Sequence, residues 1–466
     1  MKEYLKNNPE SVTELIRAAE AGNAAAQVHL GWCYDEGDGV EVDHEKAFYW
    51  YTRSAEAGDA TGQFNLAMCY ELGTGTEMDC KKAFYWYEKA AEQGDHHAIC
   101  QLGVFYEDGI GCDPDPVKAV ELYRKAADLR NVNAIVNLGL CYDNGIGTEK
   151  NAAVAAKLYR KAALMGNDIA QYNLALCYDS GSGVRKNKRL AVKYFTLAAV
   201  QGYAEAQCNL GSCYHNGEGV KQDYTQAVKW CRLAAGQNDD IALTNLGMSY
   251  ADGLGIRKNF SKAFECFSRA AELGNSKAFY KLGICYEEGL GVKKNPEKAF
   301  ECFQKAAEDD YPEAVYYLGS CYYNGRGVEK DLAKALFWHI KSAELGETAG
   351  MNDIATCDYG IEIPEQEKVE WLQKASAAGD VFAICNLGVR YLLGEGIGLD
   401  EKMAIKLLRE SAKQDHPQSF YVLYECCNHG RGVRKNRQLA LKYLRKSAEL
   451  GYPKARKVLK KLESGK

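Results

Sequence analysis

Eighteen cysteines and eight histidines stand in this chain of 466 residues, enough for metal binding, redox chemistry or nucleophilic catalysis. Their spacing points away from each. No two cysteines lie three apart, so the Cys-x-x-Cys arrangement of zinc and redox sites is absent. The histidines, at 29, 44, 96, 97, 215, 339, 416 and 429, share no common register, and nothing singles one out as the base of a Ser, His and Asp triad. Eleven Gly-x-Gly pairs resemble phosphate loops only superficially, because such loops follow a strand and open a helix with a lysine or a further spaced glycine. These pairs follow helices and lack that lysine, so they read as turns. No catalytic residue, metal ligand or cofactor site is expected.

What half of the cysteines do share is position. Cys33, Cys69, Cys141, Cys177, Cys213, Cys285, Cys321, Cys357 and Cys426 each lie two residues after a recurring anchor. The anchors are Gly31, Ala67, Gly103, Gly139, Ala175, Gly211, Gly247, Gly283 and Gly319, spaced by 36, followed by Ala355, Gly388 and Tyr424. That makes twelve copies of one unit. A residue recurring at one packing position reads as a small core filler rather than a ligand. Fixed self-similarity of this length marks a repeat array, so the three domains suggested by length give way to one quasi-linear stack.

Each copy reads as two helices. In the first, Ala26, Leu30, Gly31 and Tyr34 form the stripe of helix A, and the pair Gly37 and Gly39 stops it. Asp43 then caps helix B, whose stripe is Ala47, Trp50, Tyr51 and Ala55, up to Gly58. The alanines at Ala47, Ala83, Ala119 and their counterparts are expected to face the small anchors, with Trp50, Trp86, Trp230, Trp338 and Trp371 filling the space beside them. The fold class is therefore all-α: a right-handed superhelix of about twelve 36-residue helix-turn-helix repeats. The expected organisation is a capping half-repeat at 1–22, nine regular repeats at 23–346, a degenerate repeat at 347–379, two further repeats at 380–451 and a basic capping helix at 452–466. The degenerate copy has lost its Gly-x-Gly pair and carries Pro364, so it is a candidate bend.

The pattern carried by Ala206, Leu210, Gly211, Tyr214, Gly217, Gly219, Val220, Ala227, Trp230, Ala234 and Ala235 resembles the Sel-one-like repeat family, a branch of the tetratricopeptide superfamily. The resemblance implies A helices lining a concave surface and a role as scaffold or adaptor for a protein or peptide partner. One cysteine-rich secreted branch is labelled β-lactamase, and its disulfide joins the end of one helix B to the start of the next helix A. The matching places here hold Ala91 and Ala98, or Ala163 and Ala170, which argues against that branch. A β-lactam or peptidoglycan hydrolase and a host-directed bacterial effector are the alternatives that the resemblance leaves.

Counting from the anchor, only positions minus six, minus two and plus five, with plus one at the border, escape the packed faces of helix A. Minus two holds Asn65, Asn137, Asn173, Asn209, Asn245 and Asn386, with His29, Gln101, Lys281 and Tyr317 as variants. An asparagine can bond a peptide backbone as donor and acceptor, so a ladder of them suits an extended segment. A structural bond to the adjacent helix is the competing reading. Trp32, at plus one, is either an aromatic anchor for a partner or a cover for the first interface. Asp35, Glu71, Glu107, Asp143, Asp179 and Glu287 at plus four read as a solvated acidic face, a lure for a basic partner, or partners of lysines such as Lys46 and Lys118.

The start of the sequence lacks an apolar leader and no stretch is long enough to cross a membrane, so a cytoplasmic address is expected, with no membrane contact. Charge is uneven: residues 431–466 hold 13 Lys or Arg against 2 Glu, whereas residues 1–60 hold 5 basic and 12 acidic residues. The largely acidic remainder and the lack of a reading module argue against nucleic acid. Opposite charge at the two ends predicts salt-sensitive head-to-tail self-association, which sedimentation at low and high salt would reveal and a salt-independent monomer would refute.

Overall fold

Most helices of the regular repeats have a start and a stop written into them, those opening after Tyr203 and Tyr311 lacking a side-chain cap. Asn23 accepts a hydrogen bond from the Ala26 N–H to open Ala24–Glu36, and Asp43 accepts one from Lys46 to open His44–Glu56. Asp59 and Asp79, Asp95 and Asp115, and Asn131 and Asn151 repeat the exchange. Helix A stops on the first glycine of the pair: Gly37 sits at φ 71° and donates its N–H to the Cys33 carbonyl. A computed structural model describes residues 9–463 of the chain, and among them these signals produce twenty-six helices and no strand.

The second glycine of the pair has a different task. A Cβ there would overlap the carbonyl oxygen of the first residue of the preceding repeat's helix B: His44 for Gly75, Pro116 for Gly147, Ala152 for Gly183 and Pro296 for Gly327. The backbone of one repeat thus rests on the backbone of the last, where only glycine leaves room.

Six of the eight glycine anchors meet a ring, and here the packing departs from expectation. A Cβ on Gly31, Gly103 or Gly139 would lie 2.6, 2.5 and 2.6 Å from the rings of Tyr51, Tyr123 and Tyr159. Gly247 and Gly283 meet Phe267 and Phe303 in the same way. The alanine column lies alongside, coming close where the ring is replaced: the Ala227 carbonyl is 3.2 Å from a Cβ on Gly211. The tryptophans sit one residue earlier, and adjacent helical positions point about 100° apart, so only one of the two can face the anchor. Trp50 is buried, whereas Trp86, Trp230, Trp338 and Trp371 are half-buried. Tyr87, Tyr123, Tyr159 and Phe303 are at most 1% exposed, and burying each contributes roughly 2–3 kcal/mol. The cysteine column behaves as a core filler, since eight of its nine members are buried and Cys357 is half-buried.

Contacts divide the chain into two compact units, residues 1–237 and 238–466. In each, an A helix packs on the B helices before and after it, as in a solenoid. In the second unit the tenth repeat is irregular: helix A shrinks to Thr348–Thr356 and ends on extended Cys357, and Pro364 stands at the N-cap of Glu365–Ala377 without a side-chain cap. Tyr359 and Ile363 turn inward and are buried in place of the missing turn. Helices Pro9–Glu20 and Pro453–Glu463 occupy the expected terminal half-repeats, whose residues 1–8 and 464–466 lie outside the described ones.

Helix B closes on a left-handed residue, Gly58, Gly94 or Gly166 for example, but four copies place another residue there: Arg130, Asn238, Asp310 and Asp415. Three are held from the next helix B, Asn238 by Arg269 at 2.8 Å, Asp310 by Lys341 at 2.6 Å and Asp415 by Lys446 at 3.1 Å. Arg130, at φ 65°, forms no such bond. Arg130→Gly is therefore expected to stabilise the protein by about 0.5–1 kcal/mol, read as a higher denaturant midpoint, whereas Asp310→Gly should gain less because it gives up the lysine.

Candidate functional site

The stripe left free by helix A has the exposure expected of it. Thr61, His97, Asn133 and Ile169 at minus six, and Glu36, Leu72, Asp108 and Asn144 at plus five, are exposed; the residues at minus two are half-buried. There the ladder divides. Asn209 Nδ2 donates to Tyr172 Oη at 3.3 Å, Asn386 Nδ2 to Asn352 Oδ1 at 2.9 Å, and Gln101 Nε2 to Glu71 Oε1 at 2.8 Å, each a bond to the preceding helix A. The side-chain amides of Asn65, Asn137, Asn173 and Asn245 form no hydrogen bond among the described residues. Tyr317 stacks on Phe303, with centroids 5.1 Å apart, and the Lys281 ammonium lies 4.9 Å over Tyr280. Trp32 is half-buried, its ring 6.1 Å from that of His29.

The acidic series is half-buried, with Glu287 buried, and the expected lysine pairing holds at Asp179 with Lys188 but not with Lys46 or Lys118. Tyr87 Oη donates to Glu71 at 2.5 Å and Tyr123 Oη to Glu107 at 2.7 Å, so the carboxylate satisfies the hydroxyl of the buried ring that rests on the anchor. Elsewhere the same position binds outward: Asp35 to His44, Asp179 to Lys188 and Glu287 to Arg326. Lys46 pairs instead with Asp43, and Lys118 donates to Tyr106 Oη. A carboxylate that accepts a phenol proton at the base of the repeat is committed to the fold.

A second recurring polar position is one that sequence reasoning missed. Gln27, Gln63, Gln171 and Gln207 are buried, and each Nε2 donates to the carbonyl of an alanine at the end of the preceding helix B: Ala19, Ala55, Ala163 and Ala199. Their 36- and 108-residue spacing was the signal that marked them.

Burial pushes the thiols of Cys33, Cys177, Cys213, Cys285 and Cys426 up to about 11 and those of Cys69, Cys141 and Cys321 to about 12, far from the range of a nucleophile. None of the eighteen cysteines forms a disulfide. No group of three or more His, Cys, Asp or Glu residues able to hold a metal ion occurs among the described residues.

The tenth repeat opens a polar cleft of about 580 Å³ lined by Cys357, Asn386, Lys368 and Arg390 among others. Arg390 stands in the register that cysteine fills elsewhere. It reaches the Ala355 carbonyl, exposed by the shortened helix, together with Glu365 and Glu395, and Lys368 also pairs with Glu365. Beside the cleft, His339 occupies the ring position on anchor Gly319; its Nδ1 lies 2.5 Å from Tyr359 Oη, and its ring stacks on Tyr316, which donates to Asp353 at 3.1 Å.

Helix pairs that recur in chain order, nearly all built on the same small anchor, define an α-helical repeat protein. The chain belongs to the Sel1 repeat family, whose description matches residues 24–59, 60–95, 96–131, 132–167, 168–203, 204–239, 240–275, 276–311, 312–347, 369–380, 381–416 and 425–452. A protective antigen of uropathogenic Escherichia coli strains with an SLR fold is 32% identical, covering 89% of this chain and 90% of its own, at a TM-score of 0.73. A Sel1 repeat protein from Oxalobacter formigenes is 29% identical, covering 68% of this chain and 93% of its own, at a TM-score of 0.51. Among curated proteins no relative is matched. Proteins of this class mediate protein–protein interaction, and no helix among the described residues is long and apolar enough to cross a membrane.

His339 gives the second unit a measurable pH dependence. Burial lowers its pKa to about 4 from 6.5, so the folded state keeps it neutral while the unfolded chain takes up a proton as pH falls below 6.5. Its contribution is complete above that value and is lost between about pH 6.5 and 4, up to about 3 kcal/mol. His339→Phe, which restores the ring used by other repeats, should flatten that acid slope in denaturation curves. The difference between the two proteins isolates the histidine from Asp353, whose carboxyl burial shifts upward with the opposite pH trend.

Proposed function

We propose that this protein is a non-enzymatic scaffold that holds an extended segment of a protein partner along its A helices. The observation that carries the reading is the set of open amides at Asn65, Asn137 and Asn173, in one unit and in one register, each followed by a buried leucine and a small anchor. An unsatisfied, half-buried amide that recurs with the repeat offers a peptide backbone a donor and an acceptor at regular intervals. Exposed apolar side chains border them on the same helices: Met68, Leu72, Ile169 and Leu176.

Successive A helices touch one another directly, Ala24–Glu36 on Ala60–Leu72 and Val381–Leu393 on Pro417–His429, which supports their forming the tighter, concave side. Trp32 and Asn209 would flank the open amides in the first unit, the latter by exchanging its bond to Tyr172. In the second unit Asn245, Tyr317 and Asn386 hold the corresponding register. Eighteen cysteines with no disulfide among them suit a reducing compartment and so support the cytoplasmic address.

Affinity capture from native lysate followed by mass spectrometry would supply the partner. Its binding to a variant carrying Asn65→Ala, Asn137→Ala and Asn173→Ala should then be at least tenfold weaker with an unchanged melting temperature. An unchanged affinity would overturn the reading.

A further inference from the structure

The eleventh helix B, Glu401–Lys413, breaks the rules of the repeat on its outer face. At the four positions held by Lys402, Lys406, Arg409 and Lys413, other B helices carry mixed residues: Glu45, Tyr49, Thr52 and Glu56 in the first, Ser261, Glu265, Ser268 and Glu272 in the seventh, Gln438, Lys442, Arg445 and Glu449 in the last. No other B helix is basic at all four. The spacing of four, three and four places them on one stripe about 16 Å long. All four are exposed.

No packing need accounts for this, because all four point away from the core cluster that holds Ala404, Ile405, Leu408 and Ala412. The stripe borders a groove of about 800 Å³ with Ile405 and Val433 at its floor, and a second hollow of about 550 Å³ carries it on past Lys402 to Arg434. None of the five cations forms an ion pair among the described residues. The nearby acids are largely occupied: Asp400 caps the helix through Met403 N, and Glu401 accepts from Gly432 N at 2.7 Å, leaving Glu410 as the one free carboxylate at the rim.

We infer that this groove docks an acidic segment of a partner protein, an extended or helical run rich in Asp and Glu. Five unpaired cations around an aliphatic floor fit a chain that alternates carboxylates with apolar side chains. The aliphatic floor and the Glu410 carboxylate at the rim fit a nucleic-acid backbone or a lipid headgroup surface less well. The site lies on a B helix, so the inference does not rest on the asparagine stripe.

The test uses the full chain and a fluorescently labelled twelve-residue peptide of alternating Glu and Leu with Asp at its ends, followed by anisotropy at 50 and 200 mM salt. Binding should be salt-sensitive. It should weaken at least tenfold in a variant with Lys402→Glu, Lys406→Glu, Arg409→Glu and Lys413→Glu whose circular dichroism is unchanged. Charge reversal at Lys454, Lys457 and Lys460, exposed cations on Pro453–Glu463, should leave binding within twofold. Equal loss in both variants would reduce the groove to general electrostatic attraction and overturn the inference. So would the absence of binding, or tighter groove-dependent binding of a single-stranded oligonucleotide or of anionic phospholipid vesicles. If the quadruple variant loses its helical signal, Lys406→Gln with Arg409→Gln replaces it, with at least a threefold loss expected.

Discussion

A flat ring laid on a residue with no side chain is the contact on which the rest of this protein depends. Gly31 under Tyr51 and Gly139 under Tyr159 bring the backbone of helix A as close to helix B as a ring's thickness allows. The consequences propagate outward. The hydroxyls of Tyr87 and Tyr123 find acceptors at that depth in Glu71 and Glu107 from the end of helix A, whereas the Tyr159 hydroxyl has none among the described residues. The carboxylate in turn holds a residue of the next repeat, as Glu71 holds Gln101. Packing within a repeat and coupling between repeats are therefore one network rather than two.

The sequence disclosed period, register and helix ends almost completely, because each rests on local chemistry. A capping Asp43 or a left-handed Gly37 acts within a few residues of itself. What remained hidden was directional. The adjacent pair Trp50 and Tyr51 is apolar on both sides, and composition alone does not say which ring faces the glycine. The acids at plus four looked like surface residues for the same reason, since their partner lies sixteen positions away on another helix. The bonding along the asparagine stripe was equally hidden: Asn209 and Asn386 turn to the neighbouring helix, whereas Asn65, Asn137 and Asn173 do not.

The tenth repeat shows how the scheme absorbs a defect. Without its glycine pair, helix A ends four residues early: the Cys357 N–H closes on the Asp353 carbonyl, and the carbonyls after it fall outside the helical ladder. Arg390 donates to one of them from the position where other repeats hold an inert thiol, and Tyr359 folds in to meet His339. Both substitutions are polar, and both are satisfied within the protein. The irregularity is thus a locally rebuilt joint, and in the cleft beside it Lys368 and Arg390 are already engaged with Glu365 and Glu395.

The second glycine of each turn has a wider implication. Because Gly75 presses on the carbonyl of His44 and Gly147 on that of Pro116, one contact of the seam between neighbours is main chain on main chain, chemically the same whatever side chains a repeat carries, beside a side-chain core that runs on from repeat to repeat. That contact sets a common spacing, so the length of such a protein is quantised in steps of one repeat while its outward residues remain free to diverge. Recognition and assembly are decoupled, and a surface as unusual as that of the eleventh helix B can arise in a single unit without disturbing those on either side.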